Sequence, residues 1–124
     1  MLNTLNLFKR SDMDAVHFQA ADVIFHEGSE GHDFYVVLEG EVDIIHNNHI
    51  LFTLGPGEIF GEMAIIDSTI RSADAVAKTA CKLAVVNEKR FLFMVQQTPY
   101  FALTVMKLMS GRMRQLREMY ISSK

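Results

Sequence analysis

The chain has 124 residues, of which 49% are apolar and 22% charged, with 12 basic against 15 acidic side chains. This composition provides enough apolar surface for one folded domain, and it argues against a disordered chain and against a strongly basic nucleic-acid binder. A single cysteine, Cys81, excludes an intrachain disulfide. No apolar run approaches the roughly 18 residues of a membrane span, and no signal-peptide pattern opens the chain, so we expect a cytoplasmic protein.

The charge and the methionines are distributed unevenly along the chain. The stretch from Leu103 to Lys124 holds five basic residues and one acid, so it carries +4 and the remainder carries −7. The same stretch holds four of the eight methionines. We interpret its basic residues as the solvated face of a helix, with binding to nucleic acid or to an anionic surface as the alternative.

Residues 1–21 carry little pattern, and we interpret them as a short lead-in. From residue 22 to residue 86, short apolar runs alternate with Gly, Asn, Asp and Pro, which is typical of strands joined by tight turns. The runs are Val23–Phe25, Phe34–Leu38, Val42–Ile45, Ile50–Leu54, Ala73–Ala77 and Leu83–Val86. Asn47-Asn48 and Gly55-Pro56-Gly57 are strong turn signals between them. Many short strands with regular turns predict an antiparallel barrel or sandwich.

After Val86 the pattern becomes helical. Asn87 is a suitable N-cap for a helix that runs to about Gln97. Thr98-Pro99 predicts the start of a second helix, which reaches about Tyr120. Apolar residues at spacings of 3 and 4 form an a/d stripe along this second helix: Ala102, Met106, Met109, Met113, Leu116 and Tyr120. Three others form a neighbouring stripe: Phe101, Val105 and Leu108. The helix therefore has two apolar faces, one that would pack on the barrel and one that is available for another contact.

The segment from Gly57 to Ala73 is the part of the chain most suited to binding an anion. Gly61 precedes a predicted short helix, whose first backbone N–H groups can meet a phosphate. Arg71 follows ten residues later, close enough for the loop to bring its guanidinium onto the same anion. Glu62 can accept a hydrogen bond from a ribose hydroxyl or pair with an arginine. The residues alone leave open whether Glu62 and Arg71 bind a ligand or form an ordinary loop salt bridge.

Further residues in the same span match the pattern of a known family: Val23-Ile24-Phe25, Glu27-Gly28, Gly31, Phe34–Leu38, Gly40, Val42, Gly57–Ala64, Arg71-Ser72-Ala73 and Lys78–Cys81. With these residues, the span from about Val23 to Tyr120 resembles the cyclic nucleotide-binding domain family. That family includes the bacterial catabolite activator protein, the regulatory subunits of protein kinase A and cyclic-nucleotide-gated channels. The resemblance implies a mainly β domain over residues 22–124. Its parts would be an antiparallel jelly-roll β-barrel over 22–86, a short cassette helix, and two C-terminal helices over 87–120.

The resemblance also implies roles for individual residues, because 57–64 is similar to the family's phosphate-binding cassette. Glu62 would bind the ribose 2′-hydroxyl, and Arg71 would pair with the cyclic phosphate. Four residues would contact the same region: Gly61, Met63 and Ala64 through backbone N–H groups, and Ser72 through its hydroxyl. Four apolar positions would surround the sugar and base, with plain barrel core as the alternative: Ile44, Phe52, Leu54 and Phe60. Four positions on the last helix are candidates for a lid over the ligand: Met113, Arg114, Arg117 and Tyr120.

By this resemblance the chain is a stand-alone, bacterial-like sensor that binds cAMP or cGMP reversibly, needs no cofactor and catalyses no reaction. Its last helix would act on a dimer mate or on a partner protein. One alternative is a dimerisation module of the same fold that binds no nucleotide, and another is a cupin-like metal enzyme. Transcription factors of the family continue into a helix-turn-helix domain, whereas this chain ends soon after the long helix. We therefore expect no DNA-binding domain on it.

Other features carry weaker signals. The five histidines lack the spacing of cupin metal ligands, so we expect loop histidines: His17, His26, His32, His46 and His49. His46 and His49 lie three residues apart, and strand alternation predicts that they point to opposite faces. Cys81 is expected to be a buried, unreactive thiol. Ala21 stands where the family commonly has glycine. Ser72 does not choose between cAMP and cGMP, and a cyclic dinucleotide also stays open.

Overall fold

The computed structural model describes residues 15–66 and 69–122, so the first part of the predicted lead-in lies outside the described residues. The strands of the described chain are β1 (Ala15–Phe18), β2 (Val23–Phe25), β3 (Asp33–Glu39), β4 (Val42–His46), β5 (His49–Leu54), β6 (Ile59–Phe60), β7 (Asp74–Ala77) and β8 (Cys81–Asn87). The helices are α1 (Met63–Ile66), α2 (Glu88–Gln97) and α3 (Tyr100–Ser122). Each predicted strand matches an observed one to within two residues at either end.

The strands form two four-stranded antiparallel sheets, in the orders β1-β8-β3-β6 and β2-β7-β4-β5. The prediction of a jelly-roll β fold with a cassette helix and two C-terminal helices is confirmed. The structure differs from the prediction in one respect, because the described strands make two facing sheets and not one closed barrel. Residues 15–18, which the sequence assigned to the lead-in, form β1 and pair with β8 at the edge of the first sheet.

The first sheet is buried on both faces, which explains the continuous apolar run in β3. Phe34 and Val36 lie on the face that packs against α3, where they meet Phe101 and Val105. Val37 lies on the opposite face, in the core between the two sheets. A strand covered on both sides loses the alternation of apolar and polar residues. This arrangement fixes the start of α3 against the sheet and leaves its later turns beyond the core.

The β4–β5 hairpin turns at Asn47 and Asn48, whose φ angles of 51° and 62° suit a two-residue turn with both residues in the left-handed region. His46 and His49 are direct partners across this hairpin. They therefore share a face, and the prediction of opposite faces is wrong, because the chain reverses direction between them. Within residues 15–66 and 69–122, no three His, Cys, Asp or Glu residues are grouped in a way that could hold a metal ion.

Both C-terminal helices lie close to their predicted positions. The Asn87 side chain caps α2 by accepting a hydrogen bond from the backbone N–H of Arg90 at 2.8 Å. Helix α3 begins after Pro99 and extends two residues past the predicted end at Tyr120. Neither of these helices, nor α1, is both long and apolar enough to pass through a membrane.

Candidate functional site

A cavity of about 490 Å³ opens between the inner face of the β4–β5 hairpin, the segment around α1, and helix α3. This volume lies within the range of roughly 300–1,000 Å³ that is usual for small-molecule sites. The lining residues are Phe25, Ile44, Leu51, Phe52, Phe60, Gly61, Glu62, Met63, Ile70, Arg71, Ser72, Ala73, Met109, Arg112, Met113 and Leu116. Most of this wall is apolar, and its charged groups are concentrated at one end.

Arg71 forms part of that charged end, although its side chain is only 7% exposed. Its Nη1 donates to the carbonyl oxygen of Gly61 at 3.1 Å, and its Nη2 donates to the carbonyl oxygen of Asp33 at 2.7 Å. Its Cζ lies 4.2 Å from the ring centroid of Phe25, which is a cation–π distance. The Nε atom is buried and has no hydrogen-bond partner in the part of the chain that the structure describes. These contacts hold a cation at the cavity wall.

The environment of Arg71 perturbs its protonation equilibrium without removing its charge. Burial lowers the pKa of Arg71 below the usual arginine value, while Tyr35, Asp33 and Glu62 oppose that shift. Burial also raises the pKa of the Tyr35 hydroxyl, and the nearby Arg71 partly offsets this effect. Since an arginine side chain keeps its proton in proteins, the site presents a fixed positive charge at neutral pH.

Glu62 pairs across the cavity with Arg112 of α3. The Nη1 atom of Arg112 lies 3.3 Å and 3.5 Å from the two carboxylate oxygens. Both side chains are largely buried, with 12% of Glu62 and 14% of Arg112 exposed. The loop salt bridge between Glu62 and Arg71, which the sequence left open, is replaced by this longer-range pair. It ties the last helix to the segment that holds the predicted cassette.

Five of the six ligand-binding residues predicted from the sequence line the cavity: Gly61, Glu62, Met63, Arg71 and Ser72. Gly61 has a φ of 80°, and a Cβ atom there would stand 2.8 Å from Nη1 of Arg71. Glycine is therefore favoured at this position both by the backbone and by the arginine. Met63 begins α1, which also includes Ala64, and Ser72 lines the cavity next to Arg71.

Three of the four predicted apolar positions line the cavity, and Leu54 does not. Ile44 and Phe52 are direct partners on the inner face of the hairpin, and Phe60 lies at the end of β6. Leu54 is partnered with Val42, two residues further along the same face. At that depth the opposite sheet covers the hairpin, and Leu54 is 2% exposed within the core. Leu54 therefore belongs to the hydrophobic core, which was the alternative that the sequence left open for this residue.

The predicted lid is shifted around the helix. Met113 lines the cavity, but Arg114, Arg117 and Tyr120 do not. Arg114 lines a groove on another side of α3 and donates to the hydroxyl of Ser110 at 3.3 Å. Tyr120 is 61% exposed. Arg114 lies about 100° around the helix from Met113 and therefore borders a different groove. Tyr120 lies a full turn beyond Leu116, the last residue of α3 that lines the cavity.

Sequence reasoning missed several residues that form the site. Met109 and Leu116 line the cavity together with Met113, and all three belong to the predicted apolar stripe. Arg112 also lines the cavity but lies outside that stripe. Phe25 was interpreted only as part of a strand. No local pattern links it to Arg71, which follows 46 residues later. Such contacts depend on the tertiary arrangement of the sheets.

Comparisons with known proteins show what the chain is similar to. The profile of the family described as "Cyclic nucleotide-binding domain" matches residues 15–98. The cAMP-dependent protein kinase regulatory subunit of Schizosaccharomyces pombe is 32% identical over 96 residues, which is 73% of this chain and 23% of that protein. The Cyclic AMP receptor protein of Thermus thermophilus is 33% identical over 97 residues, which is 74% of this chain and 45% of that protein.

Among solved structures, the catabolite activator protein of Thermus thermophilus aligns with a TM-score of 0.80 at 28% identity. The alignment covers 99% of this chain and 61% of that one. The chain thus spans less than half the length of the two curated relatives.

Proposed function

The chain belongs to the cyclic nucleotide-binding domain family, as its sequence predicted, and from that premise we propose that it binds a cyclic mononucleotide, cAMP or cGMP, as a regulatory ligand. The proposal includes no catalytic step and no cofactor. The observation that carries it is the buried Arg71 cation, held at the charged end of an otherwise apolar cavity. A buried charge is unfavourable unless it is paired. Among the described residues the Arg71 guanidinium donates to two carbonyl oxygens and to no carboxylate, and the phosphate of the nucleotide would supply a direct counter-charge.

The cyclic phosphate would bind at Arg71. Each Nη nitrogen carries a second N–H, so the guanidinium can keep its contacts with the Gly61 and Asp33 carbonyls while it donates to two phosphate oxygens. The neighbouring Ser72 hydroxyl would add a further hydrogen bond. Because residues outside 103–124 carry a net charge of −7, we expect binding to rest on this local geometry and not on the overall field of the protein.

The ribose would bind at Glu62 through its 2′-hydroxyl, and the base would occupy the apolar end of the cavity. Ile44 and Phe52 form one wall there, and Met109, Met113 and Leu116 of α3 form the other. These side chains offer apolar contact, but they carry no strong hydrogen-bonding group to distinguish the edges of adenine and guanine. We therefore propose recognition that depends mainly on the sugar and phosphate.

Helix α3 would transmit the bound state. It contributes one wall of the cavity, and Arg112 already contacts the carboxylate that would accept the ribose hydroxyl. A nucleotide between α1 and α3 would touch both elements, and it would favour the arrangement of α3 that it binds more tightly. The shift is limited by the difference in affinity for the two arrangements.

Isothermal titration calorimetry of the unmodified chain tests the proposal. We expect saturable binding of cAMP, cGMP or both with one site per chain. The matched control is 5′-AMP, which has the same base and sugar but an open, more highly charged phosphate, and we expect it to bind at least about tenfold more weakly. No binding of either cyclic nucleotide would contradict the proposal.

A second candidate, dimerisation without nucleotide, is favoured by the exposed apolar side chains of α3, including Met113 at the rim of the cavity. Met106, Met113 and Tyr120 recur every seven residues there and are 56%, 70% and 61% exposed. Such a repeat is typical of a helix that pairs with a second copy. Sedimentation equilibrium distinguishes the roles: a dimer that Met106→Glu dissociates would support this face as the interface. A monomer at all concentrations would oppose it. Arg117→Glu on the same helix controls for added negative charge.

A further inference from the structure

Gly31 lies in the connection between β2 and β3, directly against the side chain of Arg71. A Cβ atom built at Gly31 would overlap the Nε, Cζ and Nη2 atoms of Arg71. No side chain can therefore occupy this position while Arg71 keeps its observed place. The contact joins residues 40 positions apart in the sequence, so no local pattern reveals it.

The backbone of Gly31 does not itself require glycine. Its φ is not in the left-handed region, in contrast with the φ angles of Gly28 and Gly61. Its N–H donates to the carbonyl oxygen of Thr69 at 2.7 Å, a hydrogen bond that alanine would retain. The space taken by the Arg71 guanidinium is thus the reason for a residue without a side chain.

The other contacts of Arg71 show what that space provides. The ring of Phe25 lies 4.2 Å from Cζ, and the two Nη atoms donate to the carbonyls of Gly61 and Asp33. Gly31 lies against Nε, which is buried without a hydrogen-bond partner among the described residues. An added methyl group would have to displace the guanidinium from at least one of these contacts.

We infer that Gly31 is a positioning residue for Arg71. Because Gly31 has no side chain, the guanidinium can occupy the space beside it and stay in contact with Phe25 at the cavity wall. This inference rests on the proposed role of Arg71 as the phosphate-binding cation. It adds a residue of the β2–β3 connection to the determinants of nucleotide affinity, although Gly31 itself touches no ligand.

Calorimetry with cAMP and cGMP on the Gly31→Ala chain tests the inference. Loss of one charge-assisted hydrogen bond to phosphate predicts affinity lower by about tenfold or more. Gly55→Ala is the matched control, since Gly55 has no neighbour within 4 Å of an added Cβ and no positive φ, and we expect it to bind within about twofold of the unmodified chain. Unchanged affinity in Gly31→Ala would overturn the inference.

A double-mutant cycle separates positioning from a general structural effect. We expect Gly31→Ala to lower the midpoint of thermal unfolding in the presence of Arg71, and to lower it little on an Arg71→Ala background, where the added methyl group has room. Arg71→Lys serves as a second background if Arg71→Ala does not fold. An equal loss in both backgrounds would overturn the inference. If the unmodified chain binds neither nucleotide, the proposed function fails, and the unfolding cycle still decides the role of Gly31.

Discussion

Replacing Arg112 with methionine removes the ion pair that connects α3 to Glu62. Each partner is at least 86% buried, as the exposed fractions of 12% and 14% show, so the change leaves a carboxylate unpaired in a poorly solvated place. Breaking a fully buried pair costs about 3–5 kcal/mol. Here the N–O distances of 3.3 Å and 3.5 Å are long and the pair borders an open cavity, so we expect a smaller loss of about 1–2 kcal/mol.

Urea unfolding at neutral pH measures this loss as a change in the free energy of unfolding. Glu62→Gln combined with Arg112→Met should recover most of it, because the buried charge is then gone. Arg114→Met is the matched control. It removes the same charge from the same helix but from a groove away from Glu62, and we expect a change within about 0.5 kcal/mol. Equal stabilities of Arg112→Met and the control, or a double variant no more stable than Arg112→Met, would refute the reasoning.

Two further predictions concern stability. Ala21 has a φ of 74°, which is unfavourable for a residue with a Cβ, so Ala21→Gly should raise the free energy of unfolding in urea by about 0.5–1 kcal/mol. The control, Gly40→Ala, would push a Cβ into the Ala80 carbonyl oxygen and should lower that free energy. No gain in stability for Ala21→Gly would refute the argument. Burial raises the pKa of the Cys81 thiol in the folded protein. The thiol of the unfolded chain therefore ionises at lower pH, and the free energy of unfolding should fall as pH rises past about 8.5. If Cys81→Ala leaves the stability profile from pH 7.5 to 9.5 unchanged, this prediction is contradicted.

The sequence was sufficient for the parts of the site that are close together along the chain. Gly61, Glu62 and Arg71 lie within one segment, and both their spacing and the family resemblance pointed to them. The strands could also be predicted from the sequence, because tight turns such as Asn47-Asn48 separate apolar runs of the right length. Local signals are enough wherever the determining contacts are local.

The remainder required the tertiary arrangement. Glu62 and Arg112 are 50 residues apart, and only the position of α3 over the cavity brings them together. The sequence identified α3 as a lid candidate but could not fix its rotation, so it selected Arg114 where the structure has Arg112. Leu54 shows the same limit for strands, since alternation gives the face of a residue but not its depth between two sheets.

The central claim is that Arg71 binds the phosphate of a cyclic nucleotide, and calorimetric titration of Arg71→Ala with cAMP and cGMP tests it most directly. Leaving a buried phosphate unpaired costs about 2–5 kcal/mol, so affinity should fall by about 30-fold or more. Arg114→Ala, an equal change of charge outside the cavity, should bind within about twofold of the unmodified chain. Equal affinities for Arg71→Ala and the unmodified chain would contradict the account.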